Sequence, residues 1–119
     1  MAVGLSEFND FIPVAGIKLG IASAGIKSPG RKDLVILELC KTAHVAGVFT
    51  TNAFCAAPVH IAKKHLAEAA TRYLMINTGN ANAGTGEQGF TDALACCQAL
   101  ADTAGVKIEQ VLPYSTGVI

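Results

Sequence analysis

Large rings are scarce in this 119-residue sequence, in which aromatics make up 6% of positions. A core of stacked Phe and Tyr is thereby excluded, so Ala, Val, Ile and Leu must pack closely instead. Charge is also sparse: 15% of residues are charged, and nine Lys and Arg balance nine Asp and Glu. Without a positive surface field, neither nucleic acid nor an anionic membrane is expected as a partner. No apolar run approaches the ~20 residues needed to cross a bilayer. The start, Met1 to Asp10, carries Glu7 and Asp10 where a signal peptide needs a basic segment. A cytoplasmic protein is expected. The four cysteines, Cys40, Cys55, Cys96 and Cys97, never fall at CxxC spacing. That spacing gives no sign of a zinc site or a thioredoxin-type pair, and no metal or cofactor is expected.

What is present is a globular composition, 51% hydrophobic, long enough for one domain or part of one. From Val14 to Ala24, small residues alternate with Ile17, Leu19 and Ile21, which predicts a closely packed strand. Ser28-Pro29-Gly30 supplies turn chemistry within the basic stretch Ile26 to Lys32, a hairpin-like connection. Leu34 to Cys40 is apolar enough for a strand buried on both faces, and His44 to Thr50 predicts a third strand. A mostly antiparallel sheet follows from these. Pro58 to about Ala70 places Ile61, Ala62, Leu66 and Ala69 on one helical face. Tyr73 to Thr78 reads as a short buried strand leading into the Gly- and Asn-rich segment Gly79 to Gly89. A second helix is predicted over Glu87 to Ala104, with Phe90, Leu94, Cys97 and Ala101 inward and Gly105 closing it. A last strand is predicted over Ile108 to Leu112.

Gly84-Thr85-Gly86-Glu87-Gln88-Gly89 matches GxGxxG, the fingerprint of a dinucleotide-binding turn. The context argues against a nucleotide. About five residues separate the strand from the first glycine where the Rossmann turn is tight, Glu87 puts negative charge at the phosphate position, and Glu109 starts its predicted strand where the ribose-binding acid should end one. A capping box of Thr85 and Gln88 explains the same residues more simply. Asn77, Asn80 and Asn82 either staple a rigid loop or line a site, because such amides beside a buried strand need partners. His44, His60 and His65 read as structural, and no local signature supports Cys55 as a nucleophile. Ser115-Thr116-Gly117 reads as an ordinary loop, although a strand ending in hydroxyls and glycine also exposes N–H groups that can stabilise an oxyanion.

Three stretches taken together resemble the ornithine acetyltransferase (glutamate N-acetyltransferase, ArgJ) family. They are Gly47 to Val59 (GVFTTNAFCAAPV), Ile76 to Ala93 (INTGNANAGTGEQGFTDA) and Leu112 to Ile119 (LPYSTGVI). The resemblance implies an α/β fold with a layered αββα arrangement and a mixed or antiparallel sheet. It implies a precursor that cleaves itself before an internal threonine into α- and β-chains that stay together, with an α2β2 assembly. The new N-terminal threonine would be the nucleophile, activated by its own α-amino group. Acetyl would pass from N-acetylornithine, or in some members acetyl-CoA, to that threonine and then to glutamate. The family's oxyanion hole falls on Thr116, through its hydroxyl, and Gly117, through its N–H.

Residues 1–119 then correspond to the N-terminal portion of the α-chain, short of the cleavage site. The resemblance implies that this portion alone is inactive and that its partner is the β-chain of the same precursor. Two other readings remain at this level: a related self-processing aminopeptidase, and a non-catalytic module that binds a complementary chain.

Overall fold

In the computed structural model, residues 12–117 are described. The start Met1 to Asp10 and the last two residues of the Leu112 to Ile119 stretch lie outside them. Strands β1 (Ile17–Ala22) and β2 (Leu34–Leu39) form an antiparallel hairpin. Helix α1 (Ala57–Glu68) follows, then β3 (Tyr73–Thr78), helix α2 (Gly86–Ala104), a 3₁₀ turn at Ile108–Gln110 and β4 (Val111–Thr116). The sheet order is β1-β2-β3-β4. β2 and β3 are antiparallel, whereas β3 and β4 are parallel, joined by the α2 crossover that such a pair requires.

The mixed α/β fold is as expected, with three corrections of detail. His44 to Thr50 is irregular, not a strand. A pairing partner decides this, since both edges of β2 are already taken by β1 and β3. The last strand begins at Val111 and runs to Thr116, because Ile108–Gln110 turns tightly first. β1 is not closely packed: all six of its residues are exposed.

α1 opens with Pro58 in its first turn, where a missing N–H breaks no helical bond. α2 ends as expected at Gly105, in the left-handed conformation (φ 65°, ψ 39°), with the Gly105 and Val106 N–H groups both donating to Ala101 O. Its inward face is Gly89, Ala93, Cys97 and Ala101. Phe90, expected inward, is 38% exposed. Small residues bring α2 close to its neighbours, and the larger Phe90 is left at the rim.

Ile61, Ala93, Cys97, Ala101 and Val111 form the core, with Tyr73 and Met75 packed against it. Burying Ile61 contributes about 1.5–3 kcal/mol. Burial pushes the Cys97 thiol up to about 12, so it stays a neutral hydrophobe. His65 is buried, and its Nδ1–H donates to the carbonyl of Val111 at 2.8 Å, which ties α1 to β4. A carbonyl can only accept, so Nδ1 carries the proton.

Strand register sorts the sheet into two faces. Tyr73, Met75, Asn77 and Val111 share the face that meets α2. Ile17, Leu19, Ile21, Val35, Leu37, Leu74, Ile76, Tyr114 and Thr116 share the other. On that second face Leu19 is 62% exposed and Ile21 52%.

Candidate functional site

Parallel pairing brings the C-terminal ends of β3 and β4 to the same place. Thr78 is the register partner of Thr116, and the Gly79 N–H donates to the Thr116 carbonyl at 3.0 Å. At Gly79 the chain turns away from the sheet beside the end of β4 at Thr116, which leaves backbone groups without sheet partners. Two glycines make the turn possible. Gly79 has φ 96°, and a Cβ there would lie 2.9 Å from Lys27 Cβ. A Cβ on Gly117 would lie 3.2 Å from the backbone nitrogens of both Asn80 and Ala81. Thr116 is exposed, and by register its side chain emerges on the face opposite α2.

The asparagines divide between the two roles that sequence left open. Asn82 is the staple: its Nδ2 donates to Gly89 O at 2.7 Å, and its Oδ1 accepts the Thr85 hydroxyl, which fixes the loop to the first turn of α2. Asn77 Oδ1 is buried with no hydrogen-bond partner among the described residues. With Asn80 and Asn82 it lines a cleft of about 480 Å³ between α2 and the sheet, otherwise mostly apolar, with Ile36, Met75 and Leu100 in its wall. Neither Thr116 nor Gly117 lines that cleft.

The Thr85–Gln88 capping box does not form. Thr85 is the N-cap residue, but its backbone is already helical (φ −90°, ψ 0°) and its hydroxyl goes to Asn82. Gln88 instead donates to Asp92 Oδ1 at 2.7 Å along the helix surface. The cause is competition: the loop asparagine offers Thr85 an acceptor before the helix offers it a donor. The GxGxxG glycines thus serve a loop stapled to α2.

Asp33 is the residue that sequence reasoning passed over. It is 2% exposed, and its carboxylate accepts the Ala24 N–H at 2.7 Å and the Ile26 N–H at 2.8 Å, which ties the hairpin loop together. The Ala24 bond is the main influence holding its carboxyl below the usual range, and the Ile26 bond and nearby Arg31 act in the same direction against the cost of burial. In sequence Asp33 ends the basic run Arg31-Lys32 and reads as one more exposed turn residue.

His44 and His60 are exposed, His65 is spent on Val111, and all four cysteines are free. Among the described residues no group of His, Cys, Asp and Glu could hold a metal ion, and no helix is long and apolar enough to cross a membrane.

Known proteins share this arrangement. The chain is 60% identical over 119 residues to the arginine biosynthesis bifunctional protein ArgJ of Pseudomonas fluorescens (strain Pf0-1), covering 100% of this chain and 29% of that protein. The same protein of Neisseria meningitidis is 57% identical over 122 residues, with 30% of its length covered. The chain therefore spans under a third of these relatives. Among solved structures, ArgJ of Bacillus halodurans superposes with a TM-score of 0.80 at 33% identity, over 88% of this chain and 55% of that one. Ornithine acetyltransferase of Mycobacterium tuberculosis, complexed with ornithine, gives 0.78 at 36% identity, over 88% and 57%. The ArgJ family model matches residues 18–119, nearly the whole chain, and the chain belongs to the ArgJ family.

Proposed function

We propose that this chain is the oxyanion-binding portion of an acetyltransferase of arginine biosynthesis, which moves acetyl from N-acetylornithine to glutamate through an acetyl-threonine intermediate. The nucleophilic threonine lies in the length of the relatives that this chain does not span. Its hydroxyl oxygen, deprotonated by the threonine's own α-amino group, attacks the acetyl carbonyl carbon. The carbonyl oxygen becomes an oxyanion, which accepts from the Gly117 N–H and the Thr116 hydroxyl. Collapse of that intermediate releases ornithine, which takes the proton onto its nitrogen. The glutamate α-amino group then attacks the acetyl-threonine, through a second oxyanion in the same place, and restores the free hydroxyl.

The observation that carries this reading is the position of Thr116. Its side chain emerges exposed at the end of β4, next to the exposed Tyr114, on the sheet face whose opposite edge carries the exposed Leu19 and Ile21 of β1, whereas Leu112 and Leu39 on the same face are buried. The rest of the full-length protein, on this reading, covers the open part of that face, and the β-chain of the same precursor brings its threonine to the oxyanion donors from across the interface. On this reading the 119-residue chain alone is inactive. Both the ornithine bound to the M. tuberculosis enzyme and the family membership support this substrate class.

The test is acetyl transfer from N-acetylornithine to glutamate, with the 119-residue chain compared with a protein of the relatives' full length. Activity in the longer protein only is expected, and Thr116→Ala in it is expected to lower kcat by about 10²- to 10³-fold. Activity in the short chain, or an unchanged kcat in Thr116→Ala, overturns the assignment. Peptide hydrolysis without acetyl transfer would select the aminopeptidase reading.

A further inference from the structure

Hydrogen bonds and the packing of the 24–27 loop link the ends of β3 and β4 to Asp33. Its carboxylate gathers the Ala24 and Ile26 N–H groups. Its backbone carbonyl accepts the Thr78 N–H at 2.9 Å, and its own N–H donates to Ala22 O at 3.1 Å. One residue thus ties the hairpin loop to the last residue of β3. The loop it shapes carries Ile26 and Lys27, whose side chains lie next to Gly79: a Cβ added there would come to 2.9 Å from Lys27 Cβ and 3.8 Å from Ile26 Cγ2. Gly79 in turn donates to Thr116 O, and the next two backbone nitrogens lie against Gly117.

We infer that Asp33 is a positioning residue: through the 24–27 loop and the Gly79–Ala81 turn, it sets where Thr116 and Gly117 hold their donors. This rests on the oxyanion reading above and extends it to a group on the far side of the sheet end. The physical argument is one of stiffness. The turn that leaves β3 beside the end of β4 has few bonds of its own, and its conformation is fixed by what packs on its outer side. Here that packing is the loop held by a doubly bonded, buried carboxylate. Donor placement matters because a shift of about 1 Å in a catalytic group costs up to ~10²-fold in rate. Asp33→Asn keeps the shape but sets an amide N–H against a backbone N–H, so one of the two loop bonds is lost.

The experiment uses the full-length protein with Asp33→Asn, Thr116→Ala and the double variant, and Lys32→Ala as an exposed neighbour in the same connection. The expected result is a fall in kcat of about 10- to 100-fold for Asp33→Asn, with KM within about twofold and Lys32→Ala unchanged. In the Thr116→Ala background the same substitution is expected to cost clearly less, because one of the two donors it positions is gone and only the Gly117 N–H remains. Equal losses in both backgrounds, or a lower Tm with kcat per folded molecule unchanged, would mean a purely structural role and overturn the inference. Amide exchange at Gly79 and Gly117 gives a readout independent of activity. Faster exchange there in Asp33→Asn is expected, and unchanged exchange overturns the link even if the enzyme is active. A wild-type protein without acetyl transfer, but with exchange that responds to Asp33, would sink the oxyanion reading and leave the mechanical path standing.

Discussion

β1 and β4 are both six-residue strands at the two edges of one sheet, and both carry large aliphatic side chains, three in β1 and two in β4. Their surroundings are opposite. Val111 on the face that meets α2 and Leu112 on the other face are 0% and 2% exposed, whereas Ile17, Leu19 and Ile21 are 42%, 62% and 52% exposed. Hydropathy alone cannot separate these strands, because it records that a residue is suited to burial and not which element supplies it. On the β4 side the cover comes from within the chain, from helices a few dozen residues away. On the β1 side no described residue supplies it, and on the reading proposed above such an exposed aliphatic stripe at strand spacing is where the rest of the full-length protein would dock. The two edges therefore should respond to mutation in opposite ways.

The sharpest way to break that contrast is at the covered edge. Ile61 is 1% exposed and packs between Val111 and the inward face of α2. Ile61→Ala is expected to cost about 2–5 kcal/mol of unfolding free energy, by loss of burial and by the cavity left behind. Urea denaturation followed by circular dichroism measures it. A loss below about 1 kcal/mol would mean that α1 does not hold β4 as described.

A smaller effect tests the loop that joins the covered region to the strand ends. Gly89 is buried in the first turn of α2, and a Cβ there would run into Thr85 Oγ1 and Asn82 Oδ1. Alanine is ordinarily the better helix former by about 1 kcal/mol. Gly89→Ala is nevertheless expected to destabilise by about 1–3 kcal/mol, because the stapled loop must shift to make room. A rise in Tm for this variant would show that the loop can leave the helix without penalty, and Asn82 would lose its role as the staple.

The parts of the molecule that sequence made legible are those governed by neighbours close in the chain. Tyr73–Thr78 occupies the predicted strand to the residue, and α2 ends where Gly105 can take a positive φ. What failed depends on partners distant in sequence. His44 to Thr50 has strand-like residues, but both edges of the neighbouring β2 are taken by β1 and β3. Phe90 has the right period, but the helix turns its glycine and alanine face inward because the packing distance is short. Thr85 and Gln88 fit a capping pattern that Asn82 pre-empts from the preceding loop. The Thr116-Gly117 pair drew notice through family resemblance, whereas Asp33 could be found only once the hairpin brought the Ala24 and Ile26 N–H groups to it. Periodicity carries no information about such a contact, and a polar residue at the end of a basic turn gives no local sign of being buried.

The smallest effect expected, and the one that bears most on the contrast, is at the open edge. Leu19 lies mid-strand in β1, opposite Leu37, with most of its side chain in solvent. In the 119-residue chain, Leu19→Ser is expected to change the unfolding free energy by less than about 0.5 kcal/mol, since the native and unfolded states expose that side chain to similar degrees. In a protein of the relatives' full length the same substitution is expected to cost about 1.5–3 kcal/mol, the value of a leucine side chain moved from water into a covered interface. Parallel denaturation curves of the two lengths, with and without the substitution, give both numbers. If the longer protein proves as indifferent as the short one, the aliphatic face stays open in the complete protein. The proposed partner would then have to reach Thr116 from the β4 edge without covering β1.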